Sequence, residues 1–124
     1  MSVKNYRDLV AWQKSIDMVE VVYEITRSFP KEESFVLTSQ IRRAVISVPA
    51  NIVEGSSKQS TKDFIRFLNI SMGSLKELEN HLIISQRLKL INEIELQSLL
   101  NKTDEVGRII YYLRNSLKKR LEAA

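Results

Sequence analysis

Apolar residues along this chain recur at steps of three and four, in four blocks, with polar residues filling the positions between them. In the first block Leu9, Trp12, Ile16, Val19 and Tyr23 share one face, and Met18, Val22, Ile25 and Phe29 make a second line beside it. The spacing predicts a helix over residues 7–28, with an apolar face too broad for one neighbouring helix to cover. Phe29-Pro30 ends it, because the residue before a proline is pushed out of the helical region. Glu32 and Glu33 then suit the positive end of a second helix, predicted over 33–57 and stopping near Gly55, Ser56 and Ser57. A third helix, over 61–88, starts at Ser60 with Asp63 as its capping partner. Its line is Phe64, Leu68, Leu75, Leu78 and Leu82, with Ser71 and Ser85 on the same seam allowing close approach of two helices. Asn92 with Glu95 opens a fourth over 93–121, carried by Leu99, Val106, Ile110, Leu113 and Leu117. Strand alternation is not found. Short connections force consecutive helices to run antiparallel, so the predicted fold is all-α: an antiparallel up-down-up-down four-helix bundle, residues 1–124 forming one domain.

Projected at ~100° per residue, the second helix resolves into three stripes. Leu37, Ile41, Ala44, Val48 and Ile52 form the expected core line, and Gln40, Arg43, Ser47, Asn51 and Glu54 a polar line about a quarter-turn away. Phe35, Ile46 and Val53, with Pro49 nearby, form an apolar strip facing roughly opposite to the core. A helix apolar on two opposed sides is covered on both, and in so short a chain the second cover is expected from another copy, making the protein a homo-oligomer. The polar line reads as a structural register toward the third helix rather than as an active site. In a hairpin turning near Gln59, Arg43 and Glu77 lie at about the same height, ~22 and ~25 Å from the turn at ~1.5 Å per residue, and are expected to pair. Glu54 and Arg66 match in the same way nearer the turn. Pro49 removes the hydrogen bond to Val45 and is expected to kink the helix, with Asn51 placed to satisfy the freed backbone.

Composition narrows the chemistry. The 124 residues are 44% hydrophobic, enough for a core, and the absence of cysteine excludes disulfides and thiolate zinc sites. No segment reads as a signal peptide or approaches the ~20 apolar residues of a membrane span, so a cytoplasmic protein is expected. His81 is the only histidine, and its spacing from Glu77 and Glu79 does not supply the Glu-x-x-His pairs of a di-iron bundle. The glycines at 55, 73 and 107 are isolated, so there is no phosphate-binding loop. Glu77 and Glu79 diverge by about 200° on a helix and cannot act on one atom. Neither a catalytic residue nor a metal nor a cofactor is predicted.

The net charge is +4, with 19 basic and 15 acidic residues mostly interspersed. Topology makes the charge more informative, since the start of helix one, the second turn and the end of helix four share one pole. That pole gathers Lys4, Arg7, Lys58, Lys62, Lys118, Lys119 and Arg120 against Asp8, Asp63 and Glu122. Such a surface suits phosphates, with salt-sensitive affinity. A blander reading is that the last three basic residues complement the dipole of helix four. Tyr111 and Tyr112 either stack on bases, if exposed, or pack.

Several linked motifs then carry a resemblance. SQIRRAVISVPANIVEG, the FP-x-x-E of Phe29 to Glu33, the LVAWQKS of helix one and the FIRFLNISMGSLKELE of helix three together resemble the four-helix bundle family named for open reading frames in intervening sequences of 23S rRNA genes. The likeness spans about residues 6–90, and helix four fits more loosely. Gln40, Arg43, Ser47, Pro49, Asn51, Glu54, Gly55, Gly73, Ser74, Leu75 and Glu79 stand at the family's characteristic positions. Val36 replaces a frequent Gly, and Val45 and Val53 frequent Ala, which bears on packing between helices or subunits. The resemblance implies a non-enzymatic bundle forming a ring-like homopentamer. It is similar to the accessory protein of diversity-generating retroelements that engages RNA and a reverse transcriptase. Residues and resemblance together predict an oligomeric RNA-associated accessory protein, the alternative being a scaffold that recruits another protein without touching nucleic acid.

Overall fold

In the computed structural model of the protein, which describes residues 5–123, Asn5 caps a 3-10 turn at Tyr6–Asp8 by accepting a hydrogen bond from the Arg7 amide at 2.9 Å. Leu9 is extended, so α1 (Val10–Thr26) begins three residues later than the apolar pattern predicts. The segment after Pro30 also closes as a 3-10 turn, Lys31–Glu33, rather than as α-helix. Val36 leaves the helical region (φ −120°, ψ −96°), and α2 spans Leu37–Ser56. The third helix, α3 (Thr61–Arg87), starts as expected, with the Ser60 hydroxyl accepting from the Asp63 amide at 3.2 Å. It ends with Lys89 in the left-handed region (φ 64°). There the Leu90 amide donates to the Ser85 carbonyl at 2.8 Å and the Lys89 amide to the Gln86 carbonyl at 2.9 Å, the Schellman pattern that satisfies the last carbonyls of a helix. The fourth helix, α4 (Glu93–Ala123), opens on a reciprocal capping box between Asn92 and Glu95, with bonds of 2.9 and 2.8 Å.

The helices form a closed square. α1 packs on α2 and α4, and α3 packs on α2 and α4, while the diagonal pairs do not come within 8 Å between Cα atoms among the described residues. The α2–α3 seam is the most extensive and the α1–α4 seam the least. Every residue of the expected α3 line is buried, as is the expected core line of α2. On α1 the second expected line is the deeper one: Met18, Val22 and Phe29 are buried together with Ala11, Ser15 and Thr26, and Leu9, Trp12, Val19 and Tyr23 of the first line flank them half-buried. The two hydroxyls among the deep positions are satisfied within the helix. Ser15 donates to the Ala11 carbonyl at 2.6 Å and Thr26 to the Val22 carbonyl at 2.9 Å.

Two buried contacts draw α2 and α3 together. The Ser71 hydroxyl donates to the Val48 carbonyl at 2.8 Å. Gly55 is helical and buried, and a Cβ built on it would lie 2.8 Å from Phe67 Cβ and 2.9 Å from Phe64 Cδ1. Its role is therefore close approach, and α2 stops one residue later, at Ser56, where the sequence places the stop. At the other end Arg42 bridges α2 to α1: its guanidinium lies 4.4 Å from the Tyr23 ring centroid and its Nε donates to Thr26 Oγ1 at 2.9 Å.

Candidate nucleic-acid interface

The register of the helices decides where the predicted site residues fall. Ser47 Oγ and Ser74 Oγ lie 2.8 Å apart, which sets Arg43 and Glu77 at about the same height, as expected. The expected ion pair is nevertheless absent. Both side chains point outward, where each finds a neighbour on its own helix: Arg43 donates to Gln40 Oε1 at 2.7 Å and Glu77 lies 3.2 Å from His81 Nε2. Glu54 likewise pairs with Lys58 at 3.2 Å and Arg66 with Asp63 at 3.8 Å, not with each other. Local pairs at i, i+3 and i, i+4 need no cross-helix alignment of long side chains, so they win at the surface. The part of the polar line that does reach α3 is Ser47, with Asn51 donating to its carbonyl at 2.8 Å and its hydroxyl at 3.0 Å. Asn51 is thus engaged at Ser47, two residues beyond Val45, and α2 continues through Pro49 as one helix.

Pro49 also leaves the predicted outer strip. It projects ~40° from Val45, and both are buried within the chain. Phe35 is 95% exposed and Ile46 46% exposed, while Val53 is half-buried. Val36, also exposed, extends this apolar surface.

Antiparallel topology brings the predicted basic residues to one end of the bundle, with Lys4 lying outside the described residues. Arg7 sits on the first 3-10 turn, which packs against α1 and α2. Lys58 and Lys62 flank the α2–α3 turn. Asn69 Oδ1 accepts from Arg114 at 2.9 Å, and counting outward along the two helices from that contact sets Lys62 level with the Arg120–Leu121 turn. Lys118 and Lys119 lie just below. Lys62, Lys118, Lys119 and Arg120 are exposed and form no ion pair among the described residues, whereas Lys58 is engaged by Glu54.

The sequence reading missed a groove of about 590 Å³ between α3 and α4, lined by Met72, Gly73, Leu75, Lys76, Glu79, Thr103, Asp104, Gly107, Arg108, Tyr111 and Tyr112. Its carboxylate Glu79 accepts from the Thr103 hydroxyl at 2.7 Å and from Lys76 at 3.1 Å. The signal available in the sequence was the pair of mid-helix glycines, 73 and 107, neither of which serves a turn. No group of three or more His, Cys, Asp or Glu side chains among the described residues is placed to hold a metal ion. No helix among them is long and apolar enough to cross a membrane.

Comparison with known proteins agrees with the fold. A crystal structure of a protein of unknown function from Bacteroides thetaiotaomicron, of the S23 ribosomal protein family, is 29% identical to this chain. It superposes with a TM-score of 0.76, covering 85% of this chain and 98% of its own. No curated protein matches the chain. The family model for the 23S rRNA-intervening sequence protein matches residues 7–112. With that match spanning three helices and most of the fourth, this chain belongs to the 23S rRNA-intervening sequence protein family.

Proposed function

We propose that the protein is a non-catalytic, homo-oligomeric, RNA-associated accessory protein that engages phosphates through the basic pole. The observation that carries this reading is the gathering of Lys62, Lys118, Lys119 and Arg120 at one end of the bundle without acidic partners among the described residues. Exposed cations keep their full charge for a polyanion, and an oligomer would repeat the patch. The apolar surface of Phe35, Val36 and Ile46 supports self-association, because an exposed aliphatic and aromatic strip of this kind is normally covered.

The test is fluorescence anisotropy of a labelled structured RNA across a salt series. If four cations contact phosphates, the log–log salt slope is about −3 to −4, and affinity falls about 50- to 150-fold between 50 and 200 mM salt. Charge reversal of Lys58, Lys62, Lys118 and Lys119 together abolishes binding. No affinity at low salt, or affinity that survives the reversal, rejects the basic pole and leaves the scaffold reading, in which the Phe35 strip holds a protein. Light scattering checks the assembly, and a monomer at high concentration rejects the oligomer.

A further inference from the structure

We propose that the α3–α4 groove is a stacking site for an unpaired nucleobase of single-stranded nucleic acid whose phosphates follow the basic half of α4. The proposal rests on the function proposed above and adds to it a second kind of contact. Charge on α4 is divided along its length: Glu93, Glu95, Asp104 and Glu105 against Lys102 in the first half, and Arg108, Arg114, Lys118, Lys119 and Arg120 against Glu122 in the second. The helix dipole accounts for basic residues only in the last turn, so it does not account for Arg108 and Arg114, which lie earlier; Arg114 reaches Asn69 on α3.

Tyr111 and Tyr112 lie among those cations. They are 47% and 68% exposed, so neither ring is wholly taken up in packing. They stand edge to face with centroids 5.8 Å apart, and the Arg114 guanidinium lies 5.1 Å from the Tyr111 centroid. Arg114 has no carboxylate partner among the described residues, and its Nε is buried without a hydrogen-bond partner. An aromatic ring backed by a guanidinium, beside further cations, is the combination that binds single strands: the ring takes the base and the cations take the phosphates.

The groove beside Tyr111 has the room. A Cβ at Gly73 would meet nothing within 4 Å, and one at Gly107 only Leu75 Cδ1 at 3.9 Å, so the walls there are bare backbone over an apolar floor. Its ~590 Å³ is in the range of small-ligand sites and accepts a planar base. Of its two carboxylates Glu79 is already engaged, and Asp104 belongs to the acidic half, which directs the phosphates toward the pole.

The test compares a labelled oligodeoxyadenylate of about ten nucleotides, within the site size usual for such surfaces, with an abasic strand of the same length and charge. The native protein is expected to bind the base-bearing strand about 5- to 100-fold more tightly. Tyr111→Ala abolishes that preference while leaving affinity for the abasic strand unchanged, and Tyr111→Phe keeps it. Gly73→Leu, which fills the groove with a good helix former, abolishes it without touching either ring. Equal affinity for the two strands, or a preference that Tyr111→Ala and Gly73→Leu leave intact, overturns the stacking site; if charge reversal of the pole still abolishes binding, the basic pole stands alone. No binding to either strand at low salt overturns the stacking site, and the basic pole falls with it when structured RNA also fails to bind.

Discussion

Replacing Gly55 and Gly73 by alanine, one at a time, separates two effects that a glycine in a helix combines. Gly73 is mid-helix, so its alanine gains about 1 kcal/mol of helix propensity, whereas Gly55 is the second-last residue of α2, where the gain is about 0.5 kcal/mol. At Gly73 nothing stands within 4 Å of the new methyl, and that gain is the whole effect. At Gly55 the methyl would sit 2.8 Å from Phe67 Cβ, 2.9 Å from Phe64 Cδ1 and 3.3 Å from the Phe64 carbonyl oxygen. The Phe64 ring can turn, but Phe67 Cβ is fixed to the α3 backbone, so α2 and α3 must move apart by several tenths of an ångström. Overpacking of this kind costs about 1–3 kcal/mol, so the net effect of Gly55→Ala is a loss of about 0.5–2.5 kcal/mol. For 124 residues the unfolding entropy is about 0.26 kcal/mol/K, which converts these values into a Tm lowered by about 2–10 °C for Gly55→Ala and raised by about 4 °C for Gly73→Ala. Thermal melts followed by far-ultraviolet circular dichroism, at one protein concentration, read both. A Gly55→Ala variant that melts with or above Gly73→Ala would refute the close α2–α3 approach.

Three further outcomes follow from named contacts. Ser71→Ala removes the hydroxyl bonded to the Val48 carbonyl and destabilises the protein by about 1 kcal/mol, read by urea unfolding at unchanged m-value. Lys89→Gly relieves a side chain held at φ 64° and stabilises by about 1 kcal/mol, raising the urea midpoint; an unchanged midpoint would mean that the α3 terminus does not take the left-handed residue. Arg43→Met and Glu77→Gln each shift stability by less than about 0.5 kcal/mol, and the double variant is additive, because the two side chains do not meet; a coupling above about 0.5 kcal/mol in the double-mutant cycle would contradict this.

The parts of the fold legible in the sequence are those encoded by large side chains at regular spacing or by short-range caps. The Leu-rich line of α3 and the caps at Ser60 and Asn92 are of this kind, since each depends on residues within a turn or two of one another. The deep face of α1 was less legible, because Ala11, Ser15 and Thr26, which complete the line of Met18 and Val22, carry little hydrophobic signal. The Arg43–Glu77 expectation had the right height and the wrong partner. Register follows from backbone geometry, but the direction of a long surface side chain follows from whichever opposite group costs least entropy to reach. Of the basic pole, the chain order and an antiparallel topology sufficed to gather Arg7, Lys58, Lys62, Lys118, Lys119 and Arg120. The α3–α4 groove was hidden because Gly73 and Gly107 lie thirty-odd positions apart and mean something only once two helices are paired.

The square arrangement has unequal sides, and α1, with 17 residues and the loosest seam toward α4, is its weakest member. Its face contributes Ala11, Ser15 and Thr26 where the others contribute leucine and isoleucine, so less apolar surface holds it. Local opening starts where least burial is lost. In native-state hydrogen exchange the amides of α1 are therefore expected to exchange through a sub-global opening of lower free energy than those of the α2–α3 hairpin. The hairpin, with the Ser71–Val48 bond near its middle and the Gly55 contact beside its turn, would be the last unit to lose protection and the nucleus on which the other two helices assemble.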